Sequence, residues 1–192
     1  MNAFDCARAV EDRSRARLYP YLAAQSDGRF VLVQKGPLAQ ELQETVGDVL
    51  LNVGGNDGAM FSVELKAEED ARETLFLETW SNLNTADKAS FEARGSNPGW
   101  MLKSRAAFLF YHFLSTDDLF VFRLWRLHRW AFGDSLERPG RAHRIHDFRR
   151  VTQRKRQQRN TTVGHSVPLA VLEHEVGFRR VNLADLTQGA TA

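Results

Sequence analysis

Asp48, Glu64 and Lys66 are the residues of this 192-residue chain whose types and spacing suit phosphodiester chemistry. Hydrolysis of a phosphodiester needs a cation to neutralise the non-bridging oxygens and a water made nucleophilic near neutral pH. Asp48 and Glu64 supply hard oxygen ligands suited to Mg²⁺, with Mn²⁺ as a substitute. Lys66 stands two residues after Glu64 and so shares its face of an extended strand. There its ammonium can orient or help deprotonate the attacking water. The carbonyl of Leu65, between them, is a further candidate ligand. The tripeptide Glu64-Leu65-Lys66 is the one place where an acidic residue stands two before any of the five lysines. By itself such a tripeptide is common by chance and reads first as a cross-strand ion pair on a solvated sheet face. What gives it weight is an acid placed opposite.

The flanking elements supply that placement. Gly47–Val53, GDVLLNV, and Met60–Lys66, MFSVELK, are separated by Gly54-Gly55-Asn56-Asp57-Gly58, a cluster of turn residues that predicts a β-hairpin. Asp57 is a rival ligand by type, but Asn56-Asp57-Gly58 is what a tight turn prefers. Alternation puts Val49, Leu51 and Val53 on one face with Phe61, Val63 and Leu65, and that apolar face belongs in the core. The other face carries Asp48, Leu50 and Asn52 with Ser62, Glu64 and Lys66. Centring the turn on Asn56 pairs Asp48 with Glu64. Directly opposed carboxylates repel each other unless a cation sits between them.

The rest of the chain predicts an α/β protein with a central mixed sheet and helices on its faces. Ala7–Ala24 is helix-like, with Pro20 expected to end or kink it. Phe30–Val33 reads as a short strand, Leu38–Gln43 as a brief helical turn, and Thr74–Trp80 as a strand holding Glu78 among apolar residues. Trp100–Phe113 is long and apolar and lacks Gly and Pro; it predicts a mostly buried helix beginning near Lys103. Asp118–Phe122 reads as a buried strand and Arg123–Phe132 as a helix. One domain over residues 1–192 is expected, with an arginine-rich C-terminal region at 138–160.

At this point the chain resembles the PD-(D/E)XK nuclease superfamily, the restriction-endonuclease-like fold, in the manner of a small phage or prophage member. The residues that carry the resemblance are Gly47-Asp48-Val49-Leu50 and Val63-Glu64-Leu65-Lys66. More loosely it extends through Leu75–Trp80, Gly99–Tyr111 and Asp118–Leu124 to Gln157–Leu169. It implies a catalytic β-hairpin in which Asp48 and Glu64 bind Mg²⁺ and Lys66 is the catalytic lysine. It also implies DNA cleavage, endonucleolytic rather than exonucleolytic, by a chain that can form a homodimer. Gly47 stands where the motif's Pro would be. Glu78, on the next strand in sequence, would assist with a second cation or the water network, and Glu11 on the first helix could play an auxiliary role.

Charge is divided along the chain. Pro37–Glu92 holds 3 basic and 12 acidic residues, 3 − 12 = −9, while Arg123–Asn160 holds 12 basic and 3 acidic, 12 − 3 = +9. An acidic segment able to hold cations, joined to one able to hold phosphates, suits work on a polyanion such as DNA. Arg149, Arg150, Arg154, Lys155, Arg156, Arg159 and Asn160 are the candidate nucleic-acid contacts, against the alternative of a solvated basic helix. His143 and His146 read as phosphate contacts or exposed side chains rather than a zinc pair, because no third ligand is evident. Trp80, Trp100, Trp125 and Trp130 read as core or boundary residues. Gly164-His165-Ser166-Val167-Pro168 lacks the second glycine of a serine-hydrolase elbow. With Cys6 as the only cysteine, a disulfide or a cysteine-rich metal cluster is excluded, and a cytoplasmic protein without membrane spans is expected. Two other function classes stay open: a DNA-binding or assembly protein that keeps the fold without turnover, and a protein-interaction module.

Overall fold

The computed structural model describes residues 3–32, 47–54, 57–82, 97–134, 143–154 and 161–188. The predicted turn at Leu38–Gln43 lies outside them. The chain divides into two compact units: Met1–Arg72 with Ser104–Leu124 and Phe178–Ala192, and Glu73–Lys103 with Trp125–Gly177.

The first unit is an α/β layer. Its helix α1 (Ala3–Ser26) runs through Pro20, which is exposed on the solvent side of the helix. The kink expected there does not end the helix, because Leu18, Tyr21 and Leu22 on either side are buried against the sheet. Each such side chain contributes about 1.5–3 kcal/mol of burial, enough to offset one lost backbone hydrogen bond. The strands are β1 (Phe30–Leu32), β2 (Val49–Val53), β3 (Ala59–Glu68), β6 (Phe108–Phe113), β7 (Asp118–Arg123) and β10 (Arg179–Asn182), in sheet order β1-β2-β3-β6-β7-β10. All neighbours are antiparallel except β3 and β6, which makes the sheet mixed. Parallel neighbours cannot be joined by a tight turn, and the chain between β3 and β6 includes residues 73–103 of the second unit. Val49, Leu51, Val63, Phe110 and Leu119 meet α1 and Leu183, the first residue of the last helix, Leu183–Gln188.

The second unit is built on a four-stranded antiparallel sheet, order β5-β4-β9-β8, with β4 (Thr74–Asn82), β5 (Asn97–Pro98), β8 (Arg149–Arg154) and β9 (Thr161–Pro168). Its helices are α2 (Trp100–Lys103), α3 (Leu124–Phe132, whose first residue counts with the first unit) and α4 (Leu169–Glu175); the helix at Leu183–Gln188 in the first unit is α5. Gly164 on β9 lies so close to β4 that a Cβ would stand 2.5 Å from the Leu77 carbonyl oxygen and 2.7 Å from the Phe76 ring.

Two expectations are corrected. Trp100–Phe113 is not one helix: a single turn at α2 is followed by strand β6, FLFYHF, whose residues from Leu109 onward are all buried. A strand buried on both faces shows no alternation, and its aromatic residues favour extended backbone. The alternative weighed for the arginine-rich segment, a solvated basic helix, is likewise not seen where the segment is described: a 3-10 turn (Arg144–Asp147) leads into β8. Among the described residues no helix is long and apolar enough to cross a membrane.

Candidate hairpin site

The hairpin β2–β3 has the register that its turn residues predict. Val49 pairs with Val63, Leu50 with Ser62 and Leu51 with Phe61, but the ladder ends at Val49, and Asp48 is turned to Val63 rather than set directly against Glu64 as the spacing predicted. Gly47 shapes that departure. Its φ is +97°, and a Cβ there would stand 2.7 Å from the Val63 carbonyl oxygen, so both the backbone conformation and the close approach require glycine. Asp48 then donates its amide to the Val63 carbonyl at 2.7 Å, and its Oδ2 accepts the Leu65 amide at 2.8 Å. A strand residue turns its N–H and C=O to the same side, so the Leu65 carbonyl faces the side on which Asp48 sits.

Glu64 is 7% exposed and fully engaged. Its Oε1 lies 2.6 Å from Lys66 Nζ, and its Oε2 accepts the Ser104 hydroxyl at 3.0 Å. Arg15 Nη2 on α1 is 3.9 Å from Asp48 Oδ1. Further along the same face of β3, Glu68 accepts the Tyr111 hydroxyl and lies 3.5 Å from Arg72. Sequence reasoning missed Ser104, Arg15 and Glu68. Ser104 is 40 residues from Glu64, in a segment with no motif, and only the parallel pairing of β3 with β6 brings it near. Glu11 is exposed, and the α1 side chain beside the acidic pair is Arg15 instead.

Asp48, Glu64, Leu65 and Lys66 are thus brought together. Glu78 is not on a strand adjacent to β3. It is on β4, in the sheet of the second unit, where Ser81 donates to it. Arg149 and Arg150 are exposed on β8 opposite Ser166 and His165, and Arg154 ends that strand. Lys155, Arg156, Arg159 and Asn160 lie outside the described residues. Trp100 is buried, but Trp125 is 53% exposed and stacks with Arg126, whose guanidinium carbon is 5.5 Å from the ring centre, so it is a surface residue rather than core.

Two carboxylates and a carbonyl are the hard donors that Mg²⁺ takes, and Mg²⁺ keeps several waters where the protein offers few ligands. Among the described residues no three His, Cys, Asp or Glu side chains are grouped to hold a metal, so water would have to fill most positions around a cation here. No family model, no curated protein and no solved structure matches the chain.

Proposed function

We propose that the chain is a Mg²⁺-dependent deoxyribonuclease with a restriction-endonuclease-like core. The observation that supports this reading most is that Asp48 Oδ2 bonds the amide of Leu65, the residue between buried Glu64 and Lys66, which are themselves joined in an ion pair. Asp48, Glu64 and the Leu65 carbonyl are the residues that would hold the cation. Bound there, Mg²⁺ would neutralise the scissile phosphate and make a coordinated water acidic. Ser104 fixes the orientation of Glu64 by bonding its second oxygen. Lys66 is held by Glu64 Oε1, which keeps its positive charge at the site to offset the charge that develops on the phosphate. Exposed Arg149 and Arg150 serve as backbone contacts.

Incubating the protein with DNA and Mg²⁺ or Mn²⁺ should give cleavage that chelation abolishes. Lys66→Ala should lower the rate by about 10²-fold or more with the far-UV spectrum unchanged. Undiminished cleavage by that variant removes the assignment.

A second reading is a DNA-binding protein without turnover. It is favoured by the direct Lys66–Glu64 ion pair, which engages the lysine with its own carboxylate. That protein would bind DNA in a salt-sensitive manner and cleave it with no divalent cation.

A further inference from the structure

Three histidines of the second unit stand in a row. The ring centres of His143 and His146 are 5.8 Å apart, and those of His146 and His165 are 5.5 Å apart. His143 immediately precedes the 3-10 turn and His146 lies within it, while His165 lies in the middle of β9. Across the sheet, Arg150 on β8 is the direct partner of His165, and such partners project from the same face. His165 is only 6% exposed, and its Nδ1 is buried without a hydrogen-bond partner. A bare buried N–H is rarer than a bare lone pair, which assigns the proton of the neutral ring to Nε2 and makes that nitrogen the donor.

What surrounds the row is basic. His143 and Arg150 face His146, and His146 and Arg150 face His165. The strand on the other side, β4, sets apolar Leu77 opposite His165, and α3 brings Phe132 against His143. The nearby acids are engaged elsewhere: Asp147 and Glu175 are bound by Arg144, and Trp130 also donates to Glu175. The other titratable residues of α4, Glu173 and His174, are exposed. Among the described residues Arg150 has no carboxylate within ion-pair distance. Burial first, and then His146 and Arg150, push His165 down to about 4; burial, His143 and Arg150 also lower His146, with Asp147 opposing them in part. Asp147 faces His146 but is already bound by Arg144, so among the described residues Arg150 and the buried His165 have no carboxylate bonded to them, an arrangement that suits an anion. No group of three or more His, Cys, Asp or Glu side chains that could hold a metal is found among the described residues.

We propose that His146, His165 and Arg150 form a binding site for a phosphate group. The Arg150 guanidinium clasps two oxygens, and the imidazoles of His146 and His165 donate to the others. The site stands on the second unit alone, and rests on the nuclease reading only for the source of its phosphate, a nucleic-acid chain. A bound dianion stabilises the protonated imidazoles, so binding and protonation are linked.

The test follows the histidine resonances of the full chain by NMR during titration with inorganic phosphate, and with a short thymidine oligonucleotide with or without a 5′-phosphate. Saturable shifts of His146 and His165, and titration midpoints that move up in saturating phosphate, are expected. Arg150→Gln should weaken phosphate binding about tenfold or more. His146→Gln, also at an exposed position, should weaken it less and still leave the His165 signal responsive. A preference for the phosphorylated oligonucleotide identifies a terminal phosphate as the source, and equal binding identifies the backbone diester. Histidine signals that ignore all three ligands, or an Arg150→Gln affinity equal to that of the parent, would overturn the proposal. Lys66→Ala should keep this binding even where cleavage is lost, so failure here is distinct from failure of the nuclease reading.

Discussion

Buried histidines couple this protein to pH, and the sign follows from what surrounds each of them. His112 on β6 is completely buried, with Nδ1 2.9 Å from the Ser14 hydroxyl and Nε2 3.4 Å from Asp117. Burial lowers its pKa, and Asp117 only partly opposes the effect. His165 is lowered further, to about 4. Both bind a proton more weakly folded than unfolded. Their stabilising contribution is therefore complete above about pH 6.5 and is lost as pH falls, down to about pH 4 for His165. Between 6.5 and 4 lie 2.5 pH units, which for His165 is about 3 kcal/mol. Urea denaturation between pH 7.5 and pH 4.5 should show a falling midpoint, and His112→Gln should flatten part of that fall. A level profile contradicts the assignment. None of this is visible in the sequence, where His112 and His165 are lone histidines amid apolar or small neighbours.

At the scale of elements, the hairpin is the part most legible in advance. Its turn residues and its alternation are local properties, and the observed register agrees with them from Val49 to Val53. Gly47 is the point at which that register is vulnerable. Gly47→Ala puts a Cβ against the Val63 carbonyl at a backbone conformation unfavourable to alanine. It should cost about 1–3 kcal/mol in chemical denaturation and displace Asp48 from the Leu65 amide. On the nuclease reading it should also lower cleavage more than it lowers DNA binding. An alanine variant of unchanged stability and activity would show that the hairpin does not need this turn. Strand β6 was illegible for the opposite reason. Its apolar run is continuous because both faces are buried, and a continuous run does not distinguish strand from helix.

For the whole molecule, the division into units ignores chain order. Phe178–Ala192 follows the second unit in sequence but belongs to the first, where β10 pairs with β7 and Leu183 enters the core beneath α1. Arg180 on β10 also binds Asp118 of β7 through both of its carboxylate oxygens. Removing residues 178–192 should therefore speed amide exchange in β7 and α1 of the first unit while leaving the β4–β9 and β8–β9 ladders protected. Uniform loss of protection, or loss confined to the second unit, would contradict this division. The sequence by itself determined the hairpin, its register from Val49 to Val53 and the shared face of Glu64 and Lys66, because turn chemistry and strand alternation act between near neighbours. It also showed the division of charge between the acidic and basic segments. Only the tertiary structure decided that Ser104 and Arg15 complete the surroundings of the acidic pair, that Glu78 lies in another sheet, and that His146, His165 and Arg150 meet. Those contacts depend on which distant strands pair, and that choice is made by burial of the whole sheet rather than by any local spacing.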